Sequence, residues 1–162
     1  MEYAKGYKTV EESRTEMTKI LQYKDINGAN RLFGGRLMEW IDETAGIAAS
    51  RHCGGDVTTA AVDQLLFKRG ALLNEIVVLI AKVTYVGRTS MEVRVDTYTE
   101  EKSTGLRTMI NHAYLIEVCV DENGKPKPVP YGLEVRTESE KAELEGAKKR
   151  QEIRKTRKNE GF

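Results

Sequence analysis

The sequence of 162 residues predicts a single α+β domain, in which an antiparallel sheet curls around one long helix. Three observations favour this architecture. One segment in the first third of the chain has apolar and small residues at helical spacing, four later segments have the period or composition of strands, and short turns join those strands. The apolar fraction of 40% and the charged fraction of 31% are typical of a globular protein with a buried core.

The chain begins with a weak strand signal and continues into its clearest helix signal. Residues 9–21 mix apolar and charged side chains and predict a lightly buried strand, and residues 24–31 form a polar, turn-rich stretch. A helix is predicted over residues 34–52, and Gly54 with Gly55 marks its end. Because alanine, glycine and serine dominate the middle of this helix, we expect it to pack closely against a surface that wraps it.

Four strands are predicted after the helix. Residues 57–67 form the first, and residues 75–86 are so rich in β-branched side chains that they predict a strand buried on both faces. Residues 90–100 alternate between apolar and charged, which predicts a half-buried antiparallel strand with its charges on the open side. The last strand is predicted over residues 107–120, where one face carries Ile110, His112, Tyr114, Ile116, Val118 and Val120.

The C-terminal part differs in composition from the rest of the chain. We place the domain at residues 1–124, followed at 125–162 by a proline-containing linker and a charged helix or tail. All three prolines lie in the stretch KPKPVP, which predicts an extended, stiff segment. The charges beyond it, of both signs, favour a solvated surface helix with intrahelical ion pairs, and a partly disordered tail is the alternative.

Composition excludes several classes of protein. A net charge of +1 provides no general attraction to nucleic acid or anionic membranes, and no apolar run approaches the roughly 20 residues that span a bilayer. The N-terminus lacks the apolar core of a secretory signal, so we expect a cytoplasmic protein. Only Cys53 and Cys119 are present, without a CxxC pattern, which predicts two free thiols rather than a disulfide framework or a four-cysteine zinc site.

The common catalytic motifs are missing. The chain has no GxSxG, HExxH, P-loop or GxGxxG sequence, so nucleophilic triads, metal-dependent hydrolysis and nucleotide-phosphate sites have no support. Its two histidines do not change this conclusion. His52 closes the predicted helix, where a cation is mildly favourable, and His112 lies within a strand among apolar neighbours, as a core histidine would.

The strongest candidate site lies in the stretch NGANRLFGGRLMEWIDETAG, residues 27–46. Gly34 and Gly35 fall at the helix start, where backbone amides have no intrahelical partner and hold a carbonyl oxygen that gains negative charge. Asp42 falls on a mostly apolar ridge of the same helix, and a carboxylate there is costly unless it serves a site. A cap or a pairing with a basic side chain is the alternative for Asp42.

This stretch, extended by two residues to DINGANRLFGGRLMEWIDETAG, resembles the signature of the hotdog-fold acyl-CoA thioesterases, the group of bacterial acyl-CoA thioesterases and cytosolic acyl-CoA hydrolases. The likeness continues through ASRHCGG, VTTAAVDQLLFKR and KVTYVGRTSMEVRV and covers residues 9–120. The fold that this resemblance implies, a long helix wrapped by a curved antiparallel sheet, agrees with the one that the hydrophobic pattern predicts.

The resemblance also implies roles for individual residues. The carboxylate matching Asp42 activates water or attacks the thioester directly, and the asparagine matching Asn27 positions water or the carbonyl from across a subunit interface. In the pair formed by Gly34 and Gly35, the amide of Gly35 is the expected hydrogen-bond donor to the oxyanion. The loop made of Gly87, Arg88, Thr89 and Ser90 matches the family's loop that lies near the coenzyme A moiety.

The family resemblance further implies a fatty acyl-CoA substrate and self-association. Protomers pair through their sheet edges as a homodimer, commonly assembled into a trimer of dimers, and no nucleic-acid or membrane partner is expected. No metal and no cofactor are implied, because coenzyme A is part of the substrate and product. The hypothesis places the acyl chain near Met38 and Trp40 or along the apolar strand faces.

One departure and several alternatives accompany this prediction. Where the family usually reads F-x-x-P-I-x-x-G-D, this chain has FKRGALLNE at residues 67–75, so a reshaped turn is expected there. A non-catalytic acyl-CoA sensor and a module that binds nucleic acid or membrane through the basic tail are the rival functions. Among enzymes, hotdog dehydratases are the nearest rival, but they usually rely on a catalytic histidine, and neither His52 nor His112 is suitably placed.

Overall fold

A computed structural model describes residues 2–161 of the chain. Its elements are β1 (Tyr7–Thr9), α1 (Val10–Ser13), β2 (Thr15–Ile20), a short 3-10 helix (Tyr23–Asp25), α2 (Gly34–Cys53), β3 (Val57–Phe67), β4 (Ile76–Val86), β5 (Ser90–Glu100), β6 (Arg107–Cys119), β7 (Gly132–Glu134) and α3 (Glu138–Glu160). The predicted long helix and the four strands that follow it are confirmed, and their ends agree with the prediction to within one residue.

Five strands form the main sheet in the order β2-β4-β5-β6-β3, with every neighbouring pair antiparallel. The helix α2 packs against this sheet, and its buried alanines, Ala45, Ala48 and Ala49, let the backbone approach closely. The β4 strand is largely buried on both faces, as its β-branched composition predicts, with Ile76, Ile80 and Tyr85 partly buried and Lys82 exposed. The predicted α+β arrangement of a sheet around one central helix is therefore confirmed.

The N-terminal region is more divided than the single strand predicted for residues 9–21. Thr9 ends β1 and caps α1, because its hydroxyl accepts the Glu12 amide while the Glu12 carboxylate accepts the Thr9 amide. After this short helix the chain re-enters the sheet as β2. A threonine followed three residues later by glutamate is a capping box, and that local signal outweighs the weak strand pattern.

The charged side of β5 is covered, contrary to the prediction that it faces solvent. Glu92 is fully buried, and its carboxylate accepts hydrogen bonds from Arg150 and Arg154 of α3 at 2.8 and 2.9 Å. Arg150 also lies over the ring of Tyr114, at 3.7 Å from the ring centroid. The outer face of the sheet therefore carries a helix, and its buried carboxylate is neutralised by cations from that helix.

The structure shows the C-terminal segment as a helix in contact with the sheet. The predicted intrahelical ion pairs are present on its open side, for example between Lys148 and Glu145 at 2.6 Å. Before the helix, the buried Val129 donates its amide to the carbonyl of Arg88, and β7 pairs in parallel with β1. These contacts tie residues beyond 124 to both the N-terminal strand and the β4–β5 hairpin.

The prediction of two free thiols is wrong, since Cys53 and Cys119 form a disulfide. The end of α2 lies against the end of β6, which brings the two Cα atoms to 6.4 Å, within the range that a disulfide spans. Sixty-six residues separate them along the chain, so their proximity depends on the helix crossing the sheet. The neighbouring His52 is also buried, and burial lowers its pKa, which favours a neutral ring rather than the predicted cation.

The turn that departs from the family pattern is accommodated by an asparagine. Asn74 adopts a left-handed backbone with φ of 65°, and it stands where the family pattern has glycine. Asparagine tolerates this conformation better than most residues do. The turn is closed by a hydrogen bond from the Glu75 amide to the Leu72 carbonyl and another from the Leu72 amide to the Glu75 carboxylate.

The β3 strand forms one edge of the sheet and is largely exposed. Its exposed side chains include the apolar residues Val62, Leu66 and Phe67. An exposed apolar edge strand is a surface on which another strand pairs. Within the described residues, no helix combines the length and the apolarity that crossing a membrane requires.

Candidate active site

Asp42 lies on α2 above the first part of β3. Its side chain is exposed, and its Oδ1 atom is 2.6 Å from the Oγ1 atom of Thr59. This contact replaces the cap or basic partner that was the alternative for Asp42, since the described residues contain no salt bridge to it. The structure therefore presents Asp42 as a carboxylate held by one hydroxyl and open to solvent.

Glu117 is the third member of this cluster. It is the register partner of Thr59 on the adjacent strand β6, and its two carboxylate oxygens are 3.1 and 3.3 Å from Thr59 Oγ1. The residue is fully buried. Burial raises the pKa of Glu117 to about 7, and the charge of Asp42 adds to the rise, whereas a hydrogen bond donated by Thr59 to the ionised form partly opposes it.

Neither Thr59 nor Glu117 was predicted. Apolar residues at even positions dominate the sequence pattern of β6, whereas from residue 111 on the residues that face α2 are at odd positions and include Ala113, Leu115 and Glu117. The alternation of faces along residues 111–119 was the signal that places Glu117 on the helix side. Its proximity to Thr59 follows only from the register of two strands that are 58 residues apart.

The glycine pair opens the helix as predicted. The first backbone hydrogen bond of α2 runs from the Leu37 amide to the Phe33 carbonyl, and Phe33 supplies no side-chain cap. Among the described residues the amides of Gly34 and Gly35 consequently have no hydrogen-bond acceptor. The ring of Phe33 lies over this turn, and a Cβ atom on Gly35 would fall 2.6 Å from that ring, so any larger residue would have to displace the ring.

Asn27 is placed in a tight turn before the helix. Its Oδ1 atom accepts the amides of Ala29 and Arg31 at 2.9 and 3.3 Å, while its own amide donates to the Arg31 carbonyl. The turn is exposed. Among the described hydrogen bonds of the chain, Asn27 makes none to Asp42, so one copy of the chain does not bring these two candidates into contact.

The predicted coenzyme A loop is the hairpin between β4 and β5. The Gly87 amide donates to the Ser90 carbonyl at 2.8 Å, which closes the hairpin, and the Thr89 carbonyl accepts the amide of Cys119. Arg88 is exposed at its tip and forms no salt bridge with the described residues. Its guanidinium is therefore available to an anionic ligand.

The candidate residues form two groups within one chain. Asp42 meets the first half of β3 through Thr59, and the hairpin lies at this end of the sheet because Met91 is the register partner of Glu117. The glycine pair lies instead at the far end of β3, where a Cβ atom on Gly34 would be 3.5 Å from Phe67. Seven residues of helix separate Gly35 from Asp42, which corresponds to about 10 Å along its axis.

The expected acyl-chain contacts are only partly accessible. Trp40 is packed in the core, so it does not face a ligand, whereas Met38 is 42% exposed one helical turn before Asp42. No group of three or more histidine, cysteine, aspartate or glutamate side chains among residues 2–161 is arranged to hold a metal ion. The chemistry available at the site consists of carboxylates, a hydroxyl and free backbone amides.

Comparison with known proteins agrees with this geometry. The model of the thioesterase superfamily matches residues 29–106. An acyl-CoA thioester hydrolase of Bacillus subtilis, itself uncharacterized, is 41% identical over 119 residues, which are 74% of this chain and 69% of that protein. The residues matched by the family model include the glycine pair, Asp42 and Thr59.

Solved structures of similar sequence share the whole fold. An acyl-CoA hydrolase of Staphylococcus aureus, solved with butyryl coenzyme A and coenzyme A, has a TM-score of 0.90 at 34% identity and covers 96% of this chain and 94% of its own. An apo-hexameric acyl-CoA thioesterase has a TM-score of 0.89 at 42% identity, with 94% and 97% covered. The S. aureus enzyme was also solved with alanine in place of an asparagine, an aspartate and a threonine. The chain belongs to the thioesterase superfamily and has the fold of its hotdog acyl-CoA hydrolases.

Proposed function

We propose that this protein hydrolyses the thioester bond of fatty acyl-CoA, releasing a free fatty acid and coenzyme A, with Asp42 as the group that activates water. The observation that carries the proposal is the exposed carboxylate of Asp42, held by Thr59 beside strand β3, in a chain whose relatives are acyl-CoA hydrolases. The asparagine, aspartate and threonine replaced in the S. aureus enzyme carry numbers one higher than Asn27, Asp42 and Thr59. That agreement supports the same three residues here.

The chemistry requires a base and an oxyanion donor at one thioester. Asp42 accepts a proton from water as the water oxygen attacks the carbonyl carbon, and the amide of Gly35 donates to the oxygen that becomes negative. Collapse of the tetrahedral intermediate breaks the carbon–sulfur bond. The proton held by Asp42 passes to the coenzyme A thiolate, which completes the reaction without any cofactor.

We further propose that two copies of the chain build each site. In one chain the Gly35 amide and Asp42 lie toward opposite ends of β3. Asn27 lies in the turn that directly precedes the glycine pair. Antiparallel pairing of the exposed β3 edge with its counterpart on a second copy brings the Phe67 end of one strand beside the Val57 end of the other. This pairing also covers the exposed apolar side chains of β3, and the hexameric state of a similar thioesterase agrees with further assembly.

The first test is the release of thiol from a panel of acyl-CoA esters of increasing chain length. Asp42→Asn preserves the hydrogen bond with Thr59 but removes the base, so kcat should fall by about 10²- to 10⁴-fold while the far-ultraviolet circular dichroism is unchanged. Glu43→Gln, an exposed neighbour on the same helix, is the matched control. Full turnover by the Asp42 variant would remove Asp42 from the mechanism, and tight binding without thiol release by the wild type would favour the acyl-CoA sensor.

The second test asks whether the site is shared between chains. Asp42→Asn and Asn27→Ala chains are unfolded together, mixed and refolded. If a site takes Asn27 from one copy and Asp42 from the other, each mixed dimer contains one intact site, and random pairing restores about a quarter of wild-type activity. A mixture that stays as inactive as its two parents would show that each site lies within one chain.

A further inference from the structure

A buried glutamate, Glu117, lies behind Asp42, and the role derived for it below rests on the proposed function of that aspartate. Two fully buried glutamates face opposite sides of the sheet. Glu92 lies beneath α3, where Arg150 and Arg154 contact its carboxylate. Glu117 lies beneath α2, and the described residues offer it no cationic side chain within salt-bridge distance. An unpaired buried carboxylate is neutralised by a proton instead.

None of the described groups that face Glu117 is cationic, in contrast to those around Glu92. From α2 it faces the carboxylate of Asp42, and from β3 it faces the hydroxyl of Thr59. Its register partner on β5 is the buried, apolar Met91. Of the next residues on its own face of β6, Leu115 is apolar and Cys119 is bonded in the disulfide. The nearest charge is therefore negative, which opposes ionisation of Glu117.

The hydrogen-bond geometry requires a proton at the same place. Thr59 Oγ1 lies within hydrogen-bond distance of Asp42 and of Glu117, yet a hydroxyl has one hydrogen to donate. If both carboxyl groups were ionised, one of these contacts would join two lone pairs. A protonated Glu117 resolves the conflict, because it donates to Thr59 Oγ1 and leaves the hydroxyl hydrogen for Asp42 at the shorter distance of 2.6 Å.

We propose that Glu117 acts as a protonated positioning residue, which directs the Thr59 hydroxyl toward Asp42 and so holds the aspartate as an oriented, ionised base. The hydrogen bonds run in one direction, from the Glu117 carboxyl to Thr59 and from Thr59 to Asp42 Oδ1. The second oxygen of Asp42 remains free to accept a proton from water. No proton leaves Glu117 during turnover.

Ionisation of Glu117 reverses this arrangement. The Thr59 hydroxyl then turns toward Glu117, Asp42 loses the hydrogen bond that orients it, and a second negative charge appears beside the base. Burial places the pKa of Glu117 near neutrality, at about 7, so kcat should decline as the pH rises through that region. A residue with a merely structural role would not introduce such a decline.

The test compares Glu117→Gln, Glu117→Leu and the Glu43→Gln control over about pH 6 to 9. Glutamine donates an N–H to Thr59 as the protonated acid does, so its kcat at low pH should stay within about threefold of wild type and the alkaline decline should vanish. Leucine gives Thr59 no donor and should lower kcat by about tenfold or more at every pH. Glu43→Gln removes a negative charge of the same helix and should keep the wild-type profile.

The protonation state is tested separately by infrared difference spectra of wild type minus Glu117→Gln. A carbonyl band of a protonated carboxyl should be present at about pH 6 and lost above about pH 8. Absence of that band at low pH, or a loss of activity in Glu117→Gln as large as in Asp42→Asn, would overturn the inference. A wild type that releases no thiol would instead refute the proposed function, while the infrared band would still decide the state of Glu117.

Discussion

Replacing Glu117 by glutamine should stabilise the protein, and the gain should depend on pH. In the unfolded chain this carboxyl ionises with a pKa near the ordinary value of 4.5, whereas burial raises its pKa in the folded protein to about 7. Below the lower value both states hold the proton, so Glu117 has no effect on the pH dependence of folding. Between the two values the unfolded state binds fewer protons, and the free energy of unfolding falls as the pH rises.

The magnitude follows from the separation between the two pKa values. Each pH unit across this window costs about 1.4 kcal/mol, so the loss reaches about 3 kcal/mol above neutrality and then stays constant. Glutamine has no proton to lose and avoids the cost. Glu117→Gln should therefore exceed wild type in free energy of unfolding by less than about 1 kcal/mol at pH 5 and by about 3 kcal/mol at pH 8.

The assay is urea denaturation followed by circular dichroism at both pH values, with equal protomer concentrations because self-association shifts apparent stability. Buried His52 also makes stability depend on pH, since its lowered pKa favours the unfolded state in acid. Both proteins retain this histidine, so its contribution cancels in the difference between them. A difference that is the same at pH 5 and pH 8 would refute the claim that Glu117 is a buried acid with a raised pKa.

Three further substitutions test other parts of the structure. Gly35→Ala should lower kcat by about tenfold to a hundredfold because its Cβ atom displaces the Phe33 ring beside the oxyanion donor, and adding Phe33→Ala should recover part of the loss in the same thiol-release assay. Arg88→Ala should raise KM for acyl-CoA by about tenfold with little change in kcat, and a KM insensitive to this change would exclude contact with a phosphate. Arg150→Met should lower the free energy of unfolding by about 3 kcal/mol, measured by chemical denaturation, because the buried Glu92 carboxylate loses one of its cationic partners. Adding Glu92→Gln to the same chain should restore part of that loss.

Local sequence patterns were sufficient for the elements that frame the site. Small residues at helical spacing and a double glycine stop predict α2, and the apolar and alternating runs predict β3 to β6, because each pattern reports the local environment of its own segment. The position of Gly35 at a helix start and of Asp42 on an apolar ridge follows from the same periodicity. The resemblance to a family then supplied their implied roles, along with that of Asn27.

The tertiary structure decided which distant side chains meet. Thr59 and Glu117 become neighbours through strand register, and Asp42 joins them because α2 crosses the sheet at that point. The same kind of long-range packing covers Glu92 with arginines of α3 and joins Cys53 to Cys119. The sequence had wrongly predicted a solvent-facing charged side of β5 and two free thiols. A periodic pattern states which face of a strand a residue occupies, but the element that covers that face depends on the path of the whole chain. The sequence therefore determined the helix that carries the acid, and the fold determined the hydroxyl and the buried glutamate behind it.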